Sequence, residues 1–72
     1  MSWEKHTSFT SSLVKVLRYN PKSSTLEILF QNGKKFQYID VPKEEWEDFK
    51  AADSKGRFFR NNINGTYIYG RV

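Results

Sequence analysis

The residues best suited to bind a ligand lie in a short basic segment near the end of the chain. They are Ser54, Lys55, Gly56, Arg57 and Arg60. The start of a helix leaves backbone N–H groups free, and a glycine there lets an anion approach the backbone. Lysine and arginine add positive charge, and arginine can hold a phosphate through two parallel hydrogen bonds. The segment is therefore a candidate phosphate site. The alternative is a structural turn in which Ser54 caps a helix and Gly56 avoids a packing clash.

Aromatic side chains beside these cations are candidates for stacking on nucleobases. They are Phe36, Tyr38, Phe58, Tyr67 and Tyr69. Proteins that bind single-stranded nucleic acids stack bases on exposed rings, at about 1–3 kcal/mol per base. The alternative is that most of these rings belong to the core, because a small chain without cysteine depends on large side chains for its stability. Phe58 is expected to be exposed, since its neighbour Phe59 takes the inner face of a helix.

The sequence favours binding over catalysis. His6 is the single histidine and there is no cysteine, so no nucleophile has an evident base to activate it. An acidic cluster comprises Glu44, Glu45, Glu47 and Asp48. Its members lie near a predicted helix start, where the helix dipole stabilises carboxylates, and they do not supply the convergent ligands of a metal site. We therefore predict no catalytic residue, no metal site and no cofactor.

Positive and negative charges are segregated along the chain. Residues 1–39 carry six Lys or Arg against two Glu, residues 40–53 carry two Lys against six Asp or Glu, and residues 54–72 carry four cations and no acidic side chain. A bipolar surface of this kind attracts a polyanion on one side only. With 72 residues, one small domain is expected. No apolar run is long enough for a membrane span or a signal peptide, so the sequence predicts a cytoplasmic protein without membrane contact.

Three strands are predicted in the first half of the chain. Residues 12–19 are rich in β-forming side chains, residues 25–30 alternate between apolar and polar, and residues 35–41 form the returning strand. Asn32 and Gly33 both tolerate positive φ, which indicates a two-residue type I′ hairpin turn. A three-stranded antiparallel meander is the expected result.

The pattern then changes to a helical period. Pro42 suits a first helical turn, and Trp46 and Phe49 share one face of a helix that should end near Ala52 or Asp53. A second short helix, capped by Ser54, is expected to run to about residue 62, and residues 66–72 read as a final strand. The predicted fold is a single small α+β domain of order β-β-β-α-α-β, an antiparallel sheet covered by two short helices. The side chains expected in its core are Leu26, Phe30, Trp46, Phe49 and Phe59.

Four blocks of the sequence resemble one known family. They are Ser11-Ser12 with Tyr19-Asn20, Phe36-Gln37-Tyr38 ahead of Val41-Pro42, the segment from Ala52 to Phe59, and Ile63 with Tyr67-Ile68-Tyr69. In this order they resemble the KTSC domain, named for its occurrence at the C-terminus of some lysyl-tRNA synthetases. The resemblance covers residues 11–72 and leaves residues 1–10 as an extended N-terminal lead-in. The chain departs from the family at Phe36, where the central Tyr-x-Tyr motif has its first tyrosine.

The resemblance implies RNA binding, a role that has been suggested for the family. Together with the basic segment and the interleaved aromatic residues, it leads to a non-catalytic module that binds RNA or another polyanion. The alternative is a protein-interaction module that uses the acidic helix or a sheet edge. A small hydrolytic or metal-dependent enzyme is a third possibility, which requires at least two carboxylates, or one carboxylate with His6, gathered in a single pocket.

Overall fold

Five antiparallel strands form a single sheet in the computed structural model, which describes residues 3–72. The order across the sheet follows the chain, so each strand pairs with its neighbours in sequence. The strands are β1 (Glu4–His6), β2 (Val14–Asn20), β3 (Thr25–Phe30), β4 (Lys35–Tyr38) and β5 (Tyr69–Arg71). Between β4 and β5 lie helix α1 (Lys43–Ala51), helix α2 (Lys55–Phe58) and a π-helical turn (Phe59–Ile63). The α+β class and the predicted meander, β2 to β4, are confirmed.

The predicted N-terminal lead-in is extended, and part of it belongs to the sheet. Glu4–His6 form β1, an edge strand that pairs with Leu17 to Tyr19 of β2. The indole N–H of Trp46 donates a hydrogen bond to Glu4 Oε1 at 2.9 Å, which ties this edge to α1. The sequence did not predict β1, because three residues of mixed polarity show no periodicity. Met1 and Ser2, the start of the lead-in, lie outside the described residues.

The turn between β3 and β4 differs from the predicted type. A type I′ turn needs positive φ at both central residues, and of the two only Gly33 has it, at 87°. The Gly33 N–H donates to the Phe30 carbonyl at 3.0 Å, and the Phe30 N–H donates to the Lys34 carbonyl at 2.9 Å. The loop therefore has three residues, a type I turn followed by a left-handed glycine. Asn32 contributes through its side-chain oxygen, which accepts from the Lys34 N–H at 2.9 Å.

The core lies on one face of the sheet, here called the inner face, which the helices cover. A β-bulge between Val14 and Val16 shifts the alternation of β2, so that Val14 and Leu17 both point inward. Helix α1 places Trp46 on Tyr19, with the two rings stacked 5.4 Å apart. Four of the five predicted core residues are buried, and Phe59 is half-buried. The buried apolar set is Val14, Leu17, Tyr19, Leu26, Ile28, Phe30, Tyr38, Val41, Trp46, Phe49 and Ile63.

The predicted second helix forms as two pieces. The N–H of Asn64 donates to the Phe59 carbonyl at 2.8 Å, a bond across five residues that widens the last turn into a π-helix. The wide turn keeps Ile63 fully buried while Phe59 packs beside β3 and β4. Gly65 follows with a φ of 82°, which lets the chain reverse toward β5.

Candidate functional site

Five aromatic rings meet on the inner face near the β5 edge of the sheet. Each ring contacts two others, so the contacts form a closed circuit with centroid separations of 5.2 to 6.0 Å. The rings line a cleft of about 280 Å³, which is small beside the pockets that hold drug-sized ligands. We call this the aromatic cleft. Its rings, in circuit order, are Phe30, Phe36, Tyr69, Tyr38 and Phe59.

The polar lining of the aromatic cleft is neutral or cationic. Lys34, Asn32 and Asn64 line it together with the rings and Leu13, and no carboxylate is among its lining residues. Arg71 lies directly opposite Phe36 in the register of β4 and β5, so it is on the same face of the sheet. An apolar floor with amides and cations around it suits a planar ligand that carries negative charge.

Three of the five predicted stacking residues are in the aromatic cleft. Tyr69 is 55% exposed, so one of its faces is open to a ligand, and Phe36 is half-buried. Tyr38 is 3% exposed and cannot offer a face, which corrects its prediction as a stacking residue. Burial, followed by the nearby Tyr69 phenol, raises the pKa of Tyr38 to about 12. Tyr38 therefore supports the cleft as a packed neutral phenol.

The other two predicted stacking residues lie elsewhere. Phe58 is half-buried and stacks on Phe49 at a centroid distance of 4.8 Å, so the expectation that it is exposed is wrong. Its ring packs against α1 through this contact with Phe49. The Tyr67 hydroxyl donates to Glu45 Oε1 at 3.1 Å. Burial and this carboxylate raise the pKa of Tyr67, and a base stacked there would meet an acidic neighbour.

One member of the basic segment, Lys55, does not have the exposed position that a phosphate ligand requires. Lys55 is 5% exposed, and its ammonium donates hydrogen bonds to the carbonyls of Lys50 and Ala52. Burial lowers the pKa of Lys55, and the charge of Asp53 opposes that shift. Because the ammonium is committed to the C-terminal end of α1, Lys55 is not available to a phosphate.

The capping alternative is supported at Ser54. Its side-chain oxygen accepts a hydrogen bond from the Arg57 N–H at 3.2 Å, as an N-cap should. The packing role suggested for Gly56 is not required. A Cβ atom there would lie 3.6 Å from both Leu13 and Arg60 Nη2, which is ordinary contact. Arg57 and Arg60 are both exposed, and their part in phosphate binding stays a prediction.

The face of the sheet away from the helices carries a charged row that the sequence did not single out. In register across four strands lie Lys5, Arg18, Glu27 and Gln37. Arg18 Nε donates to Glu27 Oε1 at 2.6 Å, and Gln37 Nε2 donates to Glu27 Oε2 at 3.0 Å. Lys35 lines the same shallow cavity of about 210 Å³ with Lys5, Arg18 and Glu27. We call this surface the outer face. The period-two alternation of β2 to β4 was the signal that could have revealed it.

Glu27 is the buried member of the outer face, at 5% exposure. Burial alone would raise its pKa. The hydrogen bonds from Arg18 and Gln37, with the charges of Arg18 and Lys35, outweigh burial and hold the pKa of Glu27 below its usual value. The carboxylate is therefore ionised at neutral pH and orients the Arg18 guanidinium.

Neither a metal site nor a membrane span is found within residues 3–72. No group of three or more His, Asp or Glu side chains converges there as a metal site would require. No helix in that part of the chain is both long and apolar enough to cross a membrane. Glu44, Glu47 and Asp48 line one open cavity on the surface of α1 together with Lys43, so the condition of two carboxylates in one cavity is met there. The ring of His6 is not among the lining residues of that cavity.

A protein-family model, the KTSC domain, matches residues 10–67. The chain belongs to the KTSC domain family. The crystal structure of a KTSC domain protein from Yersinia pestis is similar in fold, with a TM-score of 0.92, 31% identity and coverage of 99% of each chain. The resemblance seen in the sequence is thus confirmed, and so is the α+β fold predicted from the pattern of strands and helices.

Relatives of this KTSC-domain protein differ in length. A lysine–tRNA ligase of Nostoc sp. is 36% identical over 61 residues, which are 85% of this chain and 11% of the ligase. An uncharacterised protein of Stutzerimonas stutzeri is 36% identical over 69 residues, which are 94% of this chain and 97% of that protein. The chain thus spans about one tenth of the ligases that it matches, and nearly all of the smaller relative.

Proposed function

We propose that this KTSC-domain protein is a non-catalytic module that binds single-stranded RNA, with one base held in the aromatic cleft. The observation that carries the proposal is the exposed face of Tyr69 beside a closed circuit of packed rings. A base stacked on Tyr69 would bury apolar surface against a ring that is already held in place by Phe36 and Tyr38. Stacking of this kind is tolerant of sequence, because every base has a π-face.

The charges around the aromatic cleft support a polyanionic ligand. Lys34 lines the cleft, and Arg71 lies beside it, opposite Phe36 on the same face of the sheet. The exposed carboxylates Glu44, Glu47 and Asp48 are on α1, which packs toward the β1–β2 side of the sheet. A strand of RNA can therefore approach the cleft without crossing the acidic helix. Phosphate contacts of this type make affinity depend steeply on salt.

The relatives named lysine–tRNA ligase favour RNA over DNA as the nucleic acid. The matched region is about one tenth of each of these proteins, so we do not extend the ligase activity itself to this chain. A binding role without catalysis is also supported by His6. Its ring stacks on Phe9, and burial followed by the charges of Lys55 and Lys50 lowers its pKa, which leaves it neutral and without a carboxylate partner among the residues described.

The test is the affinity of short labelled RNA oligonucleotides for the wild type and Tyr69→Ala, measured by fluorescence anisotropy at low salt. Loss of one stacked base should weaken binding by about 1–3 kcal/mol, or roughly 5- to 150-fold. Ile68→Ala is the matched control, because Ile68 directly precedes Tyr69, is 73% exposed and is not among the lining residues of the cleft.

Equal affinity of Tyr69→Ala and wild type, or no binding at high micromolar protein, would exclude the aromatic cleft as an RNA site. The alternative role, a protein-interaction module at the acidic helix or a sheet edge, predicts that pattern. Duplex RNA should bind more weakly than single strands, since paired bases cannot enter the cleft.

A further inference from the structure

On the outer face, Arg18 is held in position at one edge of its guanidinium, and the rest of that group makes no hydrogen bond within the described residues. The Arg18 guanidinium is held along its Nε edge by Glu27 at 2.6 Å and lies over the Trp3 ring at 4.5 Å. Within residues 3–72 its hydrogen bonding runs through Nε alone, and about a third of the side chain is exposed. The Nη groups therefore have no hydrogen-bond partner among the described residues, while the guanidinium itself is held by Glu27 and Trp3. Such a fork suits a phosphate, because little side-chain entropy is lost when the ligand binds.

Two lysines flank this arginine, and their arrangement is unfavourable in the free protein. Lys5 lies directly opposite Arg18 in register, on the same face, and like charges in that position destabilise a sheet. Lys35 completes the wall of the same shallow cavity. Glu27 offsets one of these three positive charges, which leaves an excess that an anion would neutralise.

The outer face connects to the aromatic cleft around the β3–β4 hairpin. Lys34 lines the cleft on the inner face, whereas its neighbour Lys35 lines the cavity on the outer face. These two consecutive lysines thus place positive charge on both faces of the sheet at the hairpin. One layer of sheet is thin enough for a few nucleotides to pass around its end.

We infer that the phosphodiester backbone of the RNA strand continues from the aromatic cleft around this hairpin and binds the outer face through Lys35, Arg18 and Lys5. The inference rests on the proposed function, which it extends from one base to a path. Trp3 stacks on Arg18 and supports the guanidinium. The outer face then contacts the negatively charged RNA backbone, which is the same for every sequence, and the cleft holds a base. Any preference for particular RNA sequences therefore arises only at the cleft.

The test compares a trinucleotide with a single strand of about 12 nucleotides, a length within the site sizes of small single-strand binders. Lys35→Glu and Lys5→Glu should each weaken binding of the longer strand by roughly three- to tenfold. Each should also reduce the slope of log affinity against log salt by about 0.7 for every phosphate that the variant no longer neutralises. Neither variant should change the affinity of the trinucleotide. Lys22→Glu, which makes the same charge change in the exposed β2–β3 turn, is the control.

The two proposals fail in different ways. If the longer strand binds no more tightly than the trinucleotide, or if Lys35→Glu and Lys5→Glu match Lys22→Glu, the outer face does not contact the backbone and the cleft proposal stands. If Tyr69→Ala leaves trinucleotide affinity unchanged while the outer-face variants weaken the longer strand, the cleft proposal fails and the backbone contact stands. A circular dichroism melt of each variant confirms that the comparison is between folded proteins.

Discussion

Two buried charged side chains show how single residues act in this small protein. Glu27 and Lys55 are both 5% exposed, and each is paired with hydrogen-bond partners, as burial of a charge requires. Glu27 receives two side-chain donors on the outer face, and Lys55 donates to two backbone carbonyls on the helical side. The sequence showed both residue types, yet nothing in their local pattern distinguished them from solvent-exposed charges.

Glu27→Gln should lower the free energy of unfolding at pH 7 by about 1–2 kcal/mol, since it weakens a charge-assisted hydrogen bond to a partly exposed arginine. The pKa of Glu27 is lower in the folded than in the unfolded protein, so its stabilising contribution is complete above the unfolded pKa and is lost as pH falls through the folded one. The difference between wild type and variant should therefore shrink below about pH 4.3. Urea unfolding at several pH values measures it.

The control for this prediction is Glu44→Gln, at an exposed position of α1. It should change stability by no more than about 0.5 kcal/mol. A Glu27→Gln difference that stayed constant from pH 7 to strongly acidic conditions would show that the charge of Glu27 does not contribute.

At the junction of the two helices, α2 supplies hydrogen-bond donors to the end of α1. Helix α1 ends with carbonyl groups that have no partner inside the helix, and Lys55, from the start of α2, supplies donors to two carbonyls there. Phe58 packs on Phe49 at the same junction. The acidic-to-basic change of sign at this point in the sequence thus marks a structural joint between two helices. A local pattern could locate the joint but could not show that its lysine is buried.

Lys55→Met should destabilise the protein by about 1–3 kcal/mol, because it leaves two carbonyl groups at the end of α1 without their donor. Methionine keeps much of the volume and the apolar stem, so the loss of stability reports the hydrogen bonds. The measurement is the midpoint of urea unfolding with an unchanged m-value.

Arg57→Met is the matched control, two residues further along α2 and exposed. It should leave the midpoint within experimental error. If both variants unfold at the wild-type midpoint, water can replace the Lys55 ammonium as the donor, and the buried hydrogen bonds of Lys55 do not contribute to stability.

Across the protein as a whole, the charges that are segregated along the sequence are in part also separated between the two sides of the sheet. Four of the six cations of residues 1–39, Lys5, Arg18, Lys34 and Lys35, lie on the outer face or at the β3–β4 hairpin, and four of the six carboxylates of residues 40–53 lie on α1. The two proposed RNA contacts lie on opposite faces of the sheet, joined by Lys34 and Lys35. An excess of like charge at a binding surface opposes folding while it favours a polyanion.

Lys5→Glu is expected to raise the free energy of unfolding by about 0.2–1 kcal/mol, since it replaces a repulsive cross-strand pair by an attractive one. The same variant weakens binding of the longer RNA strand, so stability and affinity should change in opposite directions. Thermal and urea unfolding at low salt measure the first effect. High salt should diminish it.

Lys22→Glu is the control, because it lowers the net charge by the same amount. It distinguishes the loss of repulsion between Lys5 and Arg18 from a general decrease of repulsion among the positive charges. Equal stabilisation of the two variants would mean that repulsion between Lys5 and Arg18 does not itself lower the free energy of unfolding.

From the sequence alone come the order of the main elements, the place of the β3–β4 hairpin, the core of α1 and the resemblance to the KTSC family. These follow from local periodicity and from residues that lie close together in the chain. Only the folded chain settles which aromatic rings are accessible, that Lys55 is buried, and that Glu4–His6 add a fifth strand. Those outcomes depend on contacts between distant positions, such as Glu4 with Trp46 and Tyr69 with Phe36. Burial is a property of such contacts, and no single segment contains them.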